Sequence, residues 1–231
     1  MKIAIIGANG RLGAALGREY TRDFEVTSFG RSQLDLGQLD RVRSALAAIK
    51  FELVINCAAL TNVDYCESHR EEALLVNAEA PRLLAEIANE KSAKLVHVST
   101  DYVFDGKKTA PYTEEDKAIP LSVYGESKLE GERRVLDVSS QHLVVRLSWV
   151  FGPDKPSFID QSFSVLAKTK RSPLWPINFL RLVTQLMSRV GCVWPSIKMQ
   201  MGFCIWLTTA AAAGRSGPNM QSMFAVTSEF R

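Results

Sequence analysis

Cysteine and histidine are too few and too scattered to build a metal or disulfide framework. The four cysteines, Cys57, Cys66, Cys192 and Cys204, include no C-x-x-C pair, and only three histidines accompany them. Zinc modules need clustered ligands, so no metal is expected, and the thiols read as free side chains of a reducing, cytoplasmic compartment. No apolar run is long enough to cross a bilayer, which argues against a membrane partner. The first apolar run is short and passes straight into glycines, so no secretory leader is expected. Excess charge of one sign is missing too. A formal net charge of +3 is too small and too dispersed to argue for nucleic acid or an anionic surface.

What remains is an ordinary globular composition, 46% hydrophobic and 23% charged, in a chain of 231 residues. That length buries a real core and suits one α/β unit with a C-terminal addition. Short β-rich runs alternate with helical periods from the first residue. Strands are expected over 2–6, 25–29, 53–57, 94–99 and 142–147, and helices over 12–20, 39–50, 71–89 and 123–138. Near-continuous apolar strands such as Leu53-Val54-Ile55 argue for a parallel sheet covered on both faces. Right-handed crossovers then give a doubly wound α/β, Rossmann-like fold, with ligands at the carboxyl ends of the strands.

Gly7-x-x-Gly10-x-x-Gly13 follows the first strand and opens a helix. In that context the glycines allow a tight turn, a close approach of backbone to a pyrophosphate, and close helix–strand packing. Unpaired helix N–H groups then face the phosphates. A purely steric glycine turn is the alternative. Asn9, Arg11 and Leu12 sit in the same turn and join the cofactor-binding set. After the second strand the chain reads Phe29-Gly30-Arg31-Ser32, with no carboxylate before Asp35. An acidic residue there would repel a 2′-phosphate, whereas Arg31, assisted by Arg11, can pair with one. NADPH is therefore the expected cofactor and NADH the alternative, with Arg31, Asp35 and Leu36 lining the adenosine end. A solvated surface role is the competing reading of Arg31.

Tyr124 and Lys128 lie one helical turn apart, which places a phenol and an ammonium on one face. Protonating a ketone oxygen during hydride transfer needs an acid. A nearby cation is expected to lower the tyrosine pKa from its usual value near 10. The lysine can also hydrogen-bond a nicotinamide ribose. Thr100, or Ser99, stands just past a strand end, where a hydroxyl can hold the substrate oxygen. Any helix can carry Tyr-x-x-x-Lys; its order after a glycine turn and a Ser-Thr strand end is what makes the set converge. Asn77 could fix the active-site turn or be an ordinary satisfied helix residue. Trp149 is placed to stack on a sugar or base, or to fill the core.

These residues carry a resemblance. Together with Asn56-Cys57-Ala58-Ala59, the run Val98-Ser99-Thr100-Asp101-Tyr102-Val103-Phe104-Asp105-Gly106, Tyr124-Gly125-x-Ser127-Lys128-x-x-Gly131-Glu132 and Arg146-x-Ser148-Trp149-Val150-Phe151-Gly152, the glycine pattern resembles the extended short-chain dehydrogenase/reductases. Within them it is most similar to the dTDP-4-dehydrorhamnose reductase family, over residues 1 to about 165. The resemblance implies reduction of the C4 ketone of dTDP-4-dehydro-L-rhamnose to dTDP-L-rhamnose. Thr100, Tyr124 and Lys128 would then be catalytic. Asp101, Tyr102 and Trp149 would line the sugar-nucleotide pocket with Thr100 and Tyr124, and Ala58, Ala59, Asn77 and Ser99 would seat the cofactor together with Tyr124 and Lys128. A dTDP-sugar is the implied small-molecule partner and a homodimer the implied assembly. Two alternatives stay open: a reductase of another nucleotide sugar, and a non-catalytic cofactor-binding subunit similar to the regulatory subunit of methionine adenosyltransferase.

Past Lys170 the resemblance stops. The tail holds Trp175, Trp194 and Trp206 but no acidic residue between Ser172 and Glu229, and no strand–helix order can be assigned to it. Read one nucleotide back with suitable synonymous codons, residues 173–179 give Val-Val-Ala-Asp-Lys-Phe. Residues 180–189 give Ser-Pro-Leu-Gly-Asn-Ser-Ala-Asp-Val-Ala, and 200–210 give Ala-Asp-Gly-Val-Leu-His-Leu-Ala-Asp-Asp-Gly. All three are family-like and in order. The expected organisation is a cofactor-binding and catalytic domain over 1–152, then a truncated or out-of-frame remnant of a substrate domain over 153–231. A tail without binary patterning packs poorly, so turnover is expected to be impaired.

Overall fold

In the computed structural model, five parallel strands take the order β2-β1-β3-β4-β5: β1 Lys2–Ile6, β2 Glu25–Phe29, β3 Leu53–Asn56, β4 Lys94–Thr100 and β5 Leu143–Leu147. The structure describes residues 1–148, Val150 and the backbone of Ile205–Thr209. That last stretch forms β6, antiparallel to β5 with Leu143 opposite Thr209. No strand was expected there. Ile-Trp-Leu-Thr-Thr is made of residues that suit a pleated edge, and the open side of β5 supplies the partner.

The apolar strands become central because both their faces are covered. On one side α1 (Arg11–Tyr20) lays Leu16 on Ile3, Ile5 and Ile55. On the other, α2 (Leu39–Ala47), α5 (Ala80–Glu90) and α6 (Val123–Val138) bring Leu46, Leu84 and Val135 onto Ala4, Ile6, Val54 and Leu95. Alternate residues of β1 and β3 thus serve opposite layers, so those two strands are apolar nearly throughout, whereas the edge strand β2 is not. Strand order reverses between β1 and β3, which opens a crevice at their carboxyl ends.

The helix expected over 71–89 is not one uniform helix. It is α4 (Arg70–Leu74), a π-helical turn over Leu75–Glu79, and α5. Pro81 supplies the reason: it has no N–H for the carbonyl four residues back, that of Asn77. Gly131 on α6 meets this turn, where a Cβ would stand 2.1 Å from the Asn77 carbonyl oxygen. Helix α3 (Val63–Ser68), capped by Asn62 Oδ1 accepting from the Tyr65 N–H at 3.0 Å, was not expected. Neither was the 3₁₀ turn Asp101–Val103 after β4.

Candidate active site

The turn after β1 is held in a backbone shape few residues other than glycine adopt. Gly7 has φ +83°, and a Cβ on it would lie 2.7 Å from the Ala58 nitrogen. Gly13 does not face the crevice. It lets α1 pass against the turn, where a Cβ would lie 2.3 Å from the Gly7 oxygen. No side chain caps α1 at Gly10. Its first N–H groups therefore meet a cavity of about 490 Å³ lined in part by Gly7, Asn9, Gly10, Arg11 and Leu12. An uncapped helix start behind a glycine turn suits a diphosphate.

Around the same cavity stand Arg31, Asp35 and Leu36 from the segment after β2, and Ala58 and Ala59 after β3. Ser99 and Thr100 from β4 and Tyr124 and Lys128 from α6 close its other side. Most of the expected cofactor residues are thus brought to one place from segments far apart in the chain. Arg31 is 75% exposed and faces Asp35, Nε to Oδ2 3.6 Å. Arg11 reaches the opposite rim and donates to the Val150 carbonyl at 2.7 Å.

Asn77 stays behind the cavity. Its Oδ1 accepts from the Leu60 N–H at 2.8 Å, and its Nδ2 donates to the Leu60 carbonyl and to Ser127 Oγ, each at 3.0 Å. It clamps the loop that carries Ala58 and Ala59. Asp101 and Tyr102 line a neighbouring cavity with Phe104, Tyr112, Leu121 and Ser122; Ser148 lines both and donates to Asp101 Oδ2 at 2.8 Å. Trp149 lies outside the described residues.

Tyr124 is the point where the sequence expectation fails. Burial pushes its phenol up to about 12, only partly offset by the Thr100 hydroxyl, and Asp101 raises it further. Helical spacing puts Lys128 on the right face, but Nζ turns into the sheet and donates to the Val98 carbonyl at 2.7 Å. Lys128 itself is 1% exposed, and burial lowers its pKa to about 8. A cation that is itself desolvated and held on a backbone carbonyl does little for the phenolate.

The lysine also bears on stability. Its pKa is lower in the folded chain than unfolded, so the unfolded state binds more protons between about pH 8 and 10. Stability from this group is therefore lowest below pH 8 and recovers as pH rises, by at most about 3 kcal/mol. Cys57, raised to about 12, and Tyr124 oppose it above pH 9 to 10, since each must keep its proton in the folded state. Denaturant midpoints should thus rise from pH 8 to 9. Lys128→Met should abolish that rise and increase stability at pH 7. A wild-type midpoint flat over that interval would contradict the assignment.

Sequence reasoning gave no role to Glu132, Arg146 or His97, which are buried behind the site. Glu132 Oε1 and Oε2 receive Arg146 Nε and Nη2 at 2.9 and 2.5 Å, and Oε1 accepts from Ser99 Oγ at 2.5 Å. His97 is fully buried between Asn56 and Lys128. A histidine set between Val96 and Val98 within a strand was the available signal. Among the described residues no group of three or more His, Cys, Asp or Glu could hold a metal ion, and Cys57 and Cys66 are free. Cys192 and Cys204 lie outside them.

Comparison with known proteins follows the same lines. The dTDP-4-dehydrorhamnose reductase of Sinorhizobium fredii (strain NBRC 101917 / NGR234) is 40% identical over 159 residues, 69% of this chain and 54% of that protein. The chain thus spans about half the length of that curated relative. Spore coat polysaccharide biosynthesis protein SpsK of Bacillus subtilis (strain 168) is 30% identical over 239 residues, 99% of this chain and 83% of that one. The crystal structure of dTDP-4-dehydrorhamnose reductase from Bacillus anthracis str. Ames in complex with NADP superposes with a TM-score of 0.70 at 30% identity. It covers 80% of this chain and 70% of that chain. The family model described as RmlD substrate binding domain matches residues 1–174. With three quarters of its length under that match, and the fold of the solved reductase, this chain belongs to the RmlD family.

Proposed function

We propose that the chain carries the cofactor-binding and catalytic part of an NADPH-dependent reductase. Its substrate is the C4 ketone of dTDP-4-dehydro-L-rhamnose and its product dTDP-L-rhamnose. The observation that carries this reading is the meeting of Tyr124, Thr100 and Lys128 with the glycine turn in one cavity. The nicotinamide, when bound, supplies the hydride. The cavity fits such a cofactor by its donors: α1 N–H groups for the diphosphate, Arg31 for a 2′-phosphate and Lys128 for the ribose.

Thr100 holds the substrate oxygen and Tyr124 protonates it. An acid that keeps its proton through neutrality releases it only to a strongly basic oxygen, the one formed as the ketone is reduced. Asp101, Tyr102 and Trp149 are the proposed sugar-nucleotide contacts. A dTDP-sugar partner, a homodimer and a cytoplasmic location belong to the same proposal. Among the described residues no helix is long and apolar enough to cross a membrane.

We assign residues 1–152 to the cofactor and catalytic domain and 153–231 to a truncated or out-of-frame remnant of the substrate domain, with the frame lost around residues 168–173. The family match ending at residue 174 supports this. The SpsK match over 99% of the chain favours a divergent tail in frame, and sequencing the gene around residues 168–173 separates the two. The functional test is NADPH oxidation across dTDP-sugars, run on this chain beside a version with the frame restored. Turnover of dTDP-4-dehydrorhamnose is expected in the restored chain, and little or none in the other. Cofactor binding with no oxidation in either would favour a binding subunit.

Arg31 decides the cofactor in this reading. Arg31→Ala should weaken NADPH about tenfold at low salt and leave NADH nearly unchanged, read as KM for each. Equal loss for both cofactors would remove Arg31 from phosphate recognition.

A further inference from the structure

Behind the crevice runs a buried chain of three polar side chains whose hydrogen-bond directions can be worked out one by one. Asn56 is fully buried, and its Oδ1 stands 3.0 Å from the Ala58 N–H. A backbone N–H can only donate, so that atom of the amide is the oxygen and the other is the NH₂. The NH₂ faces His97 Nδ1 at 3.1 Å, so Nδ1 must accept. In a neutral imidazole the proton then sits on Nε2. Nε2 is 3.3 Å from Lys128 Nζ. Two N–H donors cannot satisfy each other, whereas an amine lone pair can accept from Nε2–H.

We propose that His97 is a positioning residue for the crevice lysine. Its tautomer, set by Asn56, favours the neutral amine of Lys128 over the ammonium, so the protonation of Lys128 is governed from the β3–β4 side of the sheet. Burial and the neighbouring Lys128 hold the His97 pKa well below the usual value, which keeps the ring neutral as the scheme requires. Three other titratable groups face Lys128. Glu132, on the same helix, favours the ammonium, but its carboxylate is already bound by Arg146 and Ser99. Cys57, from the loop after β3, keeps its proton. Tyr124 lines the same cavity as a neutral phenol. The catalytic consequence rests on the reductase reading: the proton on Lys128 is exchangeable near neutrality and available to recharge the crevice after Tyr124 has given up its own. The tautomer does not depend on that reading.

The test uses the full chain labelled with ¹⁵N-histidine and ¹³Cε-lysine. Two-bond ¹H–¹⁵N correlations are expected to show His97 as the Nε2–H tautomer, and the Lys128 Cε signal to titrate with a midpoint near 8. Asn56→Asp, an isosteric change, keeps an acceptor for Ala58 and turns the other oxygen into an acceptor for Nδ1–H. It should therefore switch the ring to the Nδ1–H tautomer. His97→Gln offers an amide oxygen to the ammonium and should raise the Lys128 midpoint by about one pH unit or more. An Nδ1–H tautomer in the wild-type chain, or a Lys128 midpoint unmoved by His97→Gln, overturns the proposal. Neither result touches the reductase reading, which fails separately if the frame-restored chain shows no turnover.

Discussion

Tyr124→Phe in the frame-restored chain should lower kcat for the dTDP-sugar ketone by about 10²–10⁴-fold, with KM nearly unchanged. The ring is buried and packed edge-on against Tyr102, with centroids 5.5 Å apart, so losing the hydroxyl leaves the cavity shape in place. What disappears is the proton that the ketone oxygen takes up, an interaction made only as the reaction proceeds. Cofactor binding, followed by fluorescence of the reduced nicotinamide, should survive. A kcat within a few-fold of the parent would remove Tyr124 from the chemistry and sink the assignment of the site. An equal fall in cofactor affinity would instead make Tyr124 part of the cofactor seat.

Breaking the ion pair behind the site should have the largest effect on folding. Glu132 and Arg146 are 3% and 7% exposed, and Arg146 also stacks its guanidinium 5.0 Å from the Phe104 ring centre. Glu132→Ala leaves that guanidinium buried without its carboxylate and takes the acceptor from Ser99 Oγ, at the end of β4. A loss of about 3–5 kcal/mol is expected, read as a fall in the denaturant midpoint with an unchanged slope. Replacing both partners, Glu132→Leu with Arg146→Met, should recover much of it, because two desolvated charges go together. A single-variant loss below about 1 kcal/mol would mean that water reaches the pair in solution. The pair also joins α6 to β5, so the same variant tests how firmly α6 is held.

Much of the fold could be read in advance because it depends on local pattern. The strands at 2–6 and 53–57 are short apolar runs bounded by turn residues, and such runs have few ways to be satisfied other than in a covered sheet. Boundaries at α1, α6 and β4 came within a residue or two for the same reason. The break at residues 75–79 did not show, because helical periodicity continues through it. Only the missing N–H of Pro81 and the approach of Gly131 to the Asn77 carbonyl make the π turn intelligible. Strand β6 could not be assigned because its partner, β5, lies more than fifty residues away along the chain.

The site divides in the same way. Residue spacing alone put a phenol and an amine on one helix face, a hydroxyl at a strand end and glycines in front of a helix start. Those are consequences of backbone geometry, which each segment carries within itself. Protonation was different: burial raises the phenol instead of lowering it, and the amine turns from its neighbour on the helix toward Val98 and His97. Desolvation and hydrogen-bond direction depend on what other segments bring to the same point, and only the folded chain assembles them. The order of elements and the chemical cast were therefore written in the sequence, while the charge each group carries was decided by tertiary packing.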